Sequence, residues 1–122
     1  MQPYKRLVIW MRSDEFVKLT YHVTKRFPDD ERFGLTSQLR RAALSVALNI
    51  VEGNARGSDA DFRRFLFISR GSLAESAYLL ELALHLGYMT RMEYDEVERA
   101  RNQASYCLQQ FVLALDNRLN PR

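Results

Sequence analysis

Residues 34–56 read GLTSQLRRAALSVALNIVEGNAR. The polar residues Gln38, Arg41, Ser45, Asn49, Glu52 and Arg56 follow one another at spacings of 3, 4, 4, 3 and 4. That spacing draws one narrow line along one face of a helix. Nearly everything else is apolar: Leu35, Leu39, Ala42, Ala43, Leu44, Val46, Ala47, Leu48, Ile50, Val51 and Ala55. A helix that is apolar almost all round must be buried almost all round. Three neighbours in a small bundle do not cover such a surface, so the excess predicts burial between copies of the chain. A ligand cavity is the alternative occupant of that surface.

Three breaks set this helix among others. Phe27-Pro28-Asp29-Asp30 is a turn, because Pro disfavours the helical conformation in the residue before it. Gly57-Ser58 and Gly87-Tyr88-Met89-Thr90 are the other two. The chain therefore divides into helices at about residues 8–27, 34–56, 58–86 and 90–117. Ser58 is a good N-cap, with Asp59 and Asp61 where the helix dipole favours anions. Thr90-Arg91-Met92-Glu93 is a capping box. The third segment repeats the apolar excess of the second, with Phe62, Phe65, Leu66, Phe67, Ile68, Leu73 and the run Tyr78 to Leu86. The fourth carries one stripe, Tyr94, Val97, Ala104, Cys107 or Leu108, Phe111 and Leu115. Long helices joined by short connections predict an all-α, up-down-up-down antiparallel four-helix bundle over residues 1–122, one domain, assembling as a cyclic homo-oligomer.

Composition excludes several classes. The chain has 122 residues, 47% hydrophobic and 27% charged, with 5 Gly, 3 Pro and 1 Cys. Disordered, collagen-like and disulfide-scaffold proteins do not have this composition. No stretch is long and apolar enough to cross a bilayer, and the N-terminus lacks the pattern of a signal peptide. A cytoplasmic protein without membrane attachment is the expectation.

Metal and nucleophile chemistry find no support. His22 and His85 have Leu19 and Leu82 three residues before them, so neither completes a Glu-x-x-His pair. Cys107 stands alone in an apolar stretch and reads as a small hydrophobe. The five glycines are scattered, with no phosphate loop. No catalytic residue, metal or cofactor is expected.

The charges are more informative. The net charge is +3, yet the first 72 residues hold 13 basic and 8 acidic side chains, and the last 50 hold 5 and 7. Lys25, Arg26 and Arg40 cluster around the first break, and Arg56, Arg63 and Arg64 around the second. In an antiparallel bundle these are opposite ends. A cyclic assembly repeats each cluster around a ring and sums the field. Such a surface binds phosphate backbones by charge. A solvated face, with each Arg paired to a nearby carboxylate, is the competing reading. The polar line of the second helix and Ser69, Ser72, Glu75 and Ser76 of the third predict a buried network of Gln38, Arg41, Ser45, Asn49, Glu52, Ser72 and Glu75. Arg41 would pair with Glu75, and the small Gly71 and Ser72 would permit a close helix approach.

Two longer stretches, FPDDERFGLTSQLRRAALSVALNIVEG at 27–53 and FRRFLFISRGSLAE at 62–75, carry a family resemblance, with Leu7-Val8-Ile9-Trp10 ahead of them. Together they closely resemble the four-helix bundle proteins encoded within intervening sequences of bacterial 23S ribosomal RNA genes, over about residues 4–116. Val51 and Ser69 stand where Ala is common in that family. The resemblance implies a ring-shaped homopentamer. It also implies a distant relation to the accessory protein of diversity-generating retroelements, a basic pentamer that binds a reverse transcriptase and nucleic acid. It implies no catalytic residues, and it places the seven residues of the polar network in the family's recurring pattern. The expected function is a non-enzymatic oligomeric protein that contacts RNA or DNA through its Arg clusters. The alternative is a protein–protein adaptor without nucleic-acid contact.

Overall fold

A computed structural model describes residues 3–121. The ends of the expected domain, residues 1, 2 and 122, lie outside the described residues. Four helices carry the chain: α1 (Val8–Thr24), α2 (Leu35–Ala55), α3 (Asp59–His85) and α4 (Arg91–Leu119). Short 3-10 turns occupy Pro3–Arg6 and Asp29–Glu31. Among the described residues there is no strand, and the fold is all-α.

α1 stops three residues earlier than the spacing predicts. Its last turn tightens as the amides of Lys25, Arg26 and Phe27 bond to carbonyls three residues back. Pro28 forbids continuation, and the Thr24 hydroxyl donates to the Thr20 carbonyl at 2.7 Å, a side-chain bond that favours leaving the helix. α3 starts where Ser58 accepts the Asp61 amide at 3.2 Å. The capping box of α4 is complete: the Glu93 amide donates to Thr90 Oγ1 at 3.1 Å and the Thr90 amide to Glu93 Oε1 at 2.8 Å. Gly57 and Gly87 take φ of +83° and +77°, values that only glycine adopts without strain.

α2 begins differently, and no helix-start rule applied to the sequence predicts how. Glu31 stands in as the cap, its Oε1 accepting the Leu35 amide at 3.0 Å. Its Oε2 accepts the Tyr88 hydroxyl at 2.8 Å, which ties the α1–α2 connection to the α3–α4 connection. Both bonds favour the charged carboxylate, the backbone bond more, and hold Glu31 below the usual carboxyl range. Gly34 leaves room for it, because a Cβ there would lie 2.6 Å from Glu31 Oε1.

Each helix packs against two others: α1 against α2 and α4, and α3 against the same pair. Phe16, Leu39, Leu66, Leu80, Leu108 and Leu115 fill the space between them, essentially without solvent contact. Each such side chain contributes about 1.5–3 kcal/mol of transfer free energy. Facing residues descend on one helix as they rise on the other. Ser45 meets Ser72, Val46 meets Ser69, and Gly53 meets Phe62. Arg63 pairs with Asp116, and Arg118 with Asp59. The close approach of α2 and α3 lies at Gly53, where a Cβ would stand 2.8 Å from Phe65 Cβ. Gly71, expected at such a crossing, is exposed with nothing within 4 Å of its would-be Cβ.

Candidate nucleic-acid interface

The polar line of α2 does meet that of α3, but in the single chain it forms a surface seam and not a buried network. Ser72 donates to Ser45 Oγ at 2.8 Å, and Asn49 Nδ2 donates to Ser45 Oγ at 3.0 Å and to the Ser45 carbonyl at 2.8 Å. Ser45, Asn49 and Ser72 are half-buried, whereas Gln38, Arg41, Glu52 and Glu75 are exposed. The expected Arg41–Glu75 ion pair is absent among the described residues, and Glu52 pairs with Arg56 at 3.0 Å instead. The reason is rotational: the α2–α3 contact centres on Val46, Ile50 and Gly53, so the polar line sits at the rim. The deeper polar contact is Ser69 Oγ donating to the Val46 carbonyl at 2.8 Å, fully buried. Five of the better-formed clefts among the described residues are lined by other side chains than Asn49, Glu52 and Glu75.

Next to this seam runs an uncovered apolar strip. Arg41, Ser45, Leu48 and Glu52 share one helical face of α2, and Ile68, Ser72, Glu75 and Leu79 share one of α3. The Ser45–Ser72 bond sets the two faces side by side. Leu48 is 59% exposed and Ile68 45%, with Leu44 and Leu79 half-buried.

The two expected basic clusters differ in kind. At the α2–α3 end every candidate cation has a carboxylate. Arg56 pairs with Glu52, Arg63 with Asp116, and Arg64 with Asp61 at 3.7 Å. Arg56 and Arg64 also both lie over the Phe65 ring, at 5.0 and 4.6 Å. The pairs are partly exposed, and each is worth ~0–1 kcal/mol. Asp59 is taken by Arg118 at the same end.

At the α1–α2 end Arg26 pairs with Glu93, but Lys25 and Arg40 have no carboxylate partner among the described residues. Neither has Arg32, exposed just after the turn. Arg40 is held by other means: its Nε donates to Thr24 Oγ1 at 2.8 Å and its guanidinium lies 4.7 Å over the Tyr21 ring. Local sequence could not rank these two ends, because the carboxylates that occupy Arg63 and Arg26 lie on α4, far along the chain. His22 and His85 are exposed, Cys107 is a half-buried free thiol, and no group of metal-ligating side chains forms among the described residues. No helix there is long and apolar enough to cross a membrane.

Comparison with known proteins agrees with the fold. The chain is similar to a crystal structure, at 1.70 Å resolution, of a protein with unknown function from the S23 ribosomal protein family of Bacteroides thetaiotaomicron VPI-5482. The two are 26% identical, the match covers 86% of this chain and 98% of that one, and the TM-score is 0.79. No curated protein matches. The model of the 23S rRNA-intervening sequence protein family matches residues 5–110, and the chain belongs to that family.

Proposed function

We propose that this chain is a non-enzymatic, cytoplasmic protein that assembles into a ring, a homopentamer by family resemblance, and contacts RNA or DNA through exposed cations. The observation that carries the nucleic-acid part is the trio Lys25, Arg32 and Arg40, gathered at one end with no carboxylate partner among the described residues. An up-down-up-down antiparallel bundle is the topology this reading assumes. The descending pairs 45/72, 46/69 and 53/62 support it. Assembly is supported by Leu48 and Ile68, which leave the excess apolar surface of α2 and α3 uncovered. A ring that brings five copies of the trio to one rim multiplies its field and its avidity for a polyanion. A non-enzymatic role is supported by the seam, whose half-buried polar groups spend their hydrogen bonds on one another.

Retention on heparin tests the charge assignment. Changing Lys25 and Arg32 to Glu is expected to release the protein at markedly lower salt, and changing Arg63 and Arg64 to Glu to have the smaller effect. Equal retention of all three proteins would remove the basis of the proposal. A second reading, a protein–protein adaptor, draws support from Phe33 and Met92, 88% and 82% exposed. Capture of a protein partner that survives nuclease treatment, with no change on mutating the cations, would favour it.

A further inference from the structure

A shallow cleft of about 240 Å³ opens between the end of α1 and the start of α2, lined by Lys25, Asp29, Arg32, Thr36 and Arg40. Three cations against one carboxylate give its lining a net charge near +2. Two features make it more than a patch of surface charge. Arg40 is pre-set: the Thr24 hydroxyl donates to the Thr20 carbonyl and so turns its lone pairs toward Arg40 Nε, while Tyr21 backs the guanidinium plane. Its two terminal nitrogens make no hydrogen bond among the described residues. Thr36 is only 8% exposed, lines the cleft, and its hydroxyl has no hydrogen-bond partner among the described residues. Thr36 also sits in the first turn of α2, where the Leu35 amide is taken by Glu31 and the Thr36 and Ser37 amides have no hydrogen-bond partner among the described residues. The Thr36 hydroxyl, still open to the cleft on an otherwise buried residue, the first-turn amide of Thr36 and an oriented guanidinium lie around one small volume. That is the donor set a tetrahedral oxyanion needs.

Arg32 joins the cleft to a second element. Its guanidinium lies 5.3 Å from the centroid of the Phe33 ring, and Phe33 is 88% exposed. A nearly bare aromatic beside phosphate-binding cations is the arrangement that takes an unstacked base, because every base has a π-face. A duplex keeps its bases stacked inside and offers none to such a ring.

We propose that the α1–α2 corner binds single-stranded nucleic acid, with one phosphodiester seated among Lys25, Arg32, Arg40 and the Thr36 hydroxyl and an adjacent base on Phe33. This rests on the nucleic-acid reading above and adds where contact is made and with which form of polymer. The carboxylates around the corner do not compete for the cleft's cations: Glu31 is occupied by Leu35 and Tyr88, and Glu93 by Arg26. Asp29 lines the cleft, and Asp30 and the charged Glu31 stand beside it on the same turn, so a bound phosphate must tolerate all three.

The test is fluorescence anisotropy of a labelled 15-nucleotide oligo(dT), titrated with the nuclease-treated protein at several salt concentrations. Circular dichroism of each variant confirms its fold. Lys25→Gln with Arg32→Gln is expected to weaken binding at least tenfold. It should also lower the salt slope by up to about 0.7, the contribution of one neutralised phosphate on a single strand. Phe33→Ala is expected to weaken binding about tenfold with the slope unchanged, the mark of lost stacking. Thr36→Val should cost a few-fold. If the corner variants bind as the wild type does while Arg63→Glu with Arg64→Glu abolishes binding, this site is refuted and the broader function survives. Binding of inorganic phosphate without any binding of the strand overturns the polymer assignment. Equal loss for duplex and strand with Phe33→Ala neutral overturns the single-strand assignment. No binding of any oligonucleotide at low salt overturns both proposals.

Discussion

Replacing Gly53 by Ala adds a methyl group where α2 and α3 touch. Its carbon would lie 2.8 Å from Phe65 Cβ and 2.9 Å from Phe62 Cδ1. Carbon atoms rest at about 3.5–4.0 Å, so the helices must part by roughly 0.7–1.2 Å or the rings must leave their rotamers. Phe65 Cβ is fixed to its backbone and cannot swing aside. Overpacking of this kind costs about 1–3 kcal/mol. Ala gains about 1 kcal/mol over Gly in a helix interior. The net expectation is a loss of about 0–2 kcal/mol. Gly71 is the matched control, also inside a helix but exposed and with open space around its would-be Cβ. Gly71→Ala should therefore keep the propensity gain, about 0.5–1 kcal/mol. The two substitutions, identical in chemistry, share the propensity gain and should differ by the overpacking cost, about 1–3 kcal/mol, with Gly53→Ala the less stable. Urea unfolding at one fixed protein concentration, followed by helical circular dichroism, measures this, and the fixed concentration removes mass-action effects of assembly. A Gly53→Ala protein as stable as the Gly71→Ala control, or more so, would refute the close approach.

Thr20 is fully buried and its hydroxyl has no partner, so Thr20→Val should stabilise the protein by about 1 kcal/mol in the same assay; a loss would show that the hydroxyl is satisfied. Glu31→Gln should destabilise at neutral pH by removing the charged cap. Because Glu31 titrates below its ordinary value in the folded chain, its contribution is present above the unfolded carboxyl pKa, about 4.3, and is lost as pH falls through the lower folded value. The gap between wild type and Glu31→Gln should therefore close in acid; a gap independent of pH contradicts the assignment. Leu48→Arg, on the uncovered strip, should reduce the sedimenting mass toward the 14.3 kDa of one chain while leaving helicity intact. An unchanged assembly moves the subunit contact off the α2–α3 face.

Much of the architecture is written locally. Pro28, Gly57-Ser58 and Gly87-Thr90 punctuate the chain by backbone rules that need no partner. The capping box Thr90–Glu93 operates within four residues, and its bonds are those the sequence predicts. What local rules do not carry is rotation and distance. The line Gln38–Arg41–Ser45–Asn49–Glu52 is legible as a line, but whether it faces inward depends on how far α2 turns against α3. Gly53 decides that by letting the backbones close at its own level. Likewise the charge of the Arg63-Arg64 pair is legible, but Asp116 and Asp61 occupy both, while Lys25, Arg32 and Arg40 have no carboxylate partner among the described residues. The role of Glu31 was out of reach because its partners, Leu35 and Tyr88, lie on two different connections.

The central claim is that exposed cations of an assembled ring hold a nucleic-acid backbone. The direct measurement is binding of the nuclease-treated protein to labelled RNA and duplex DNA, with log K plotted against log salt from low to physiological concentration. The account predicts a steep linear fall and binding that persists at physiological salt, the signature of released counterions. Absence of binding at either salt would contradict it and leave the adaptor reading in its place.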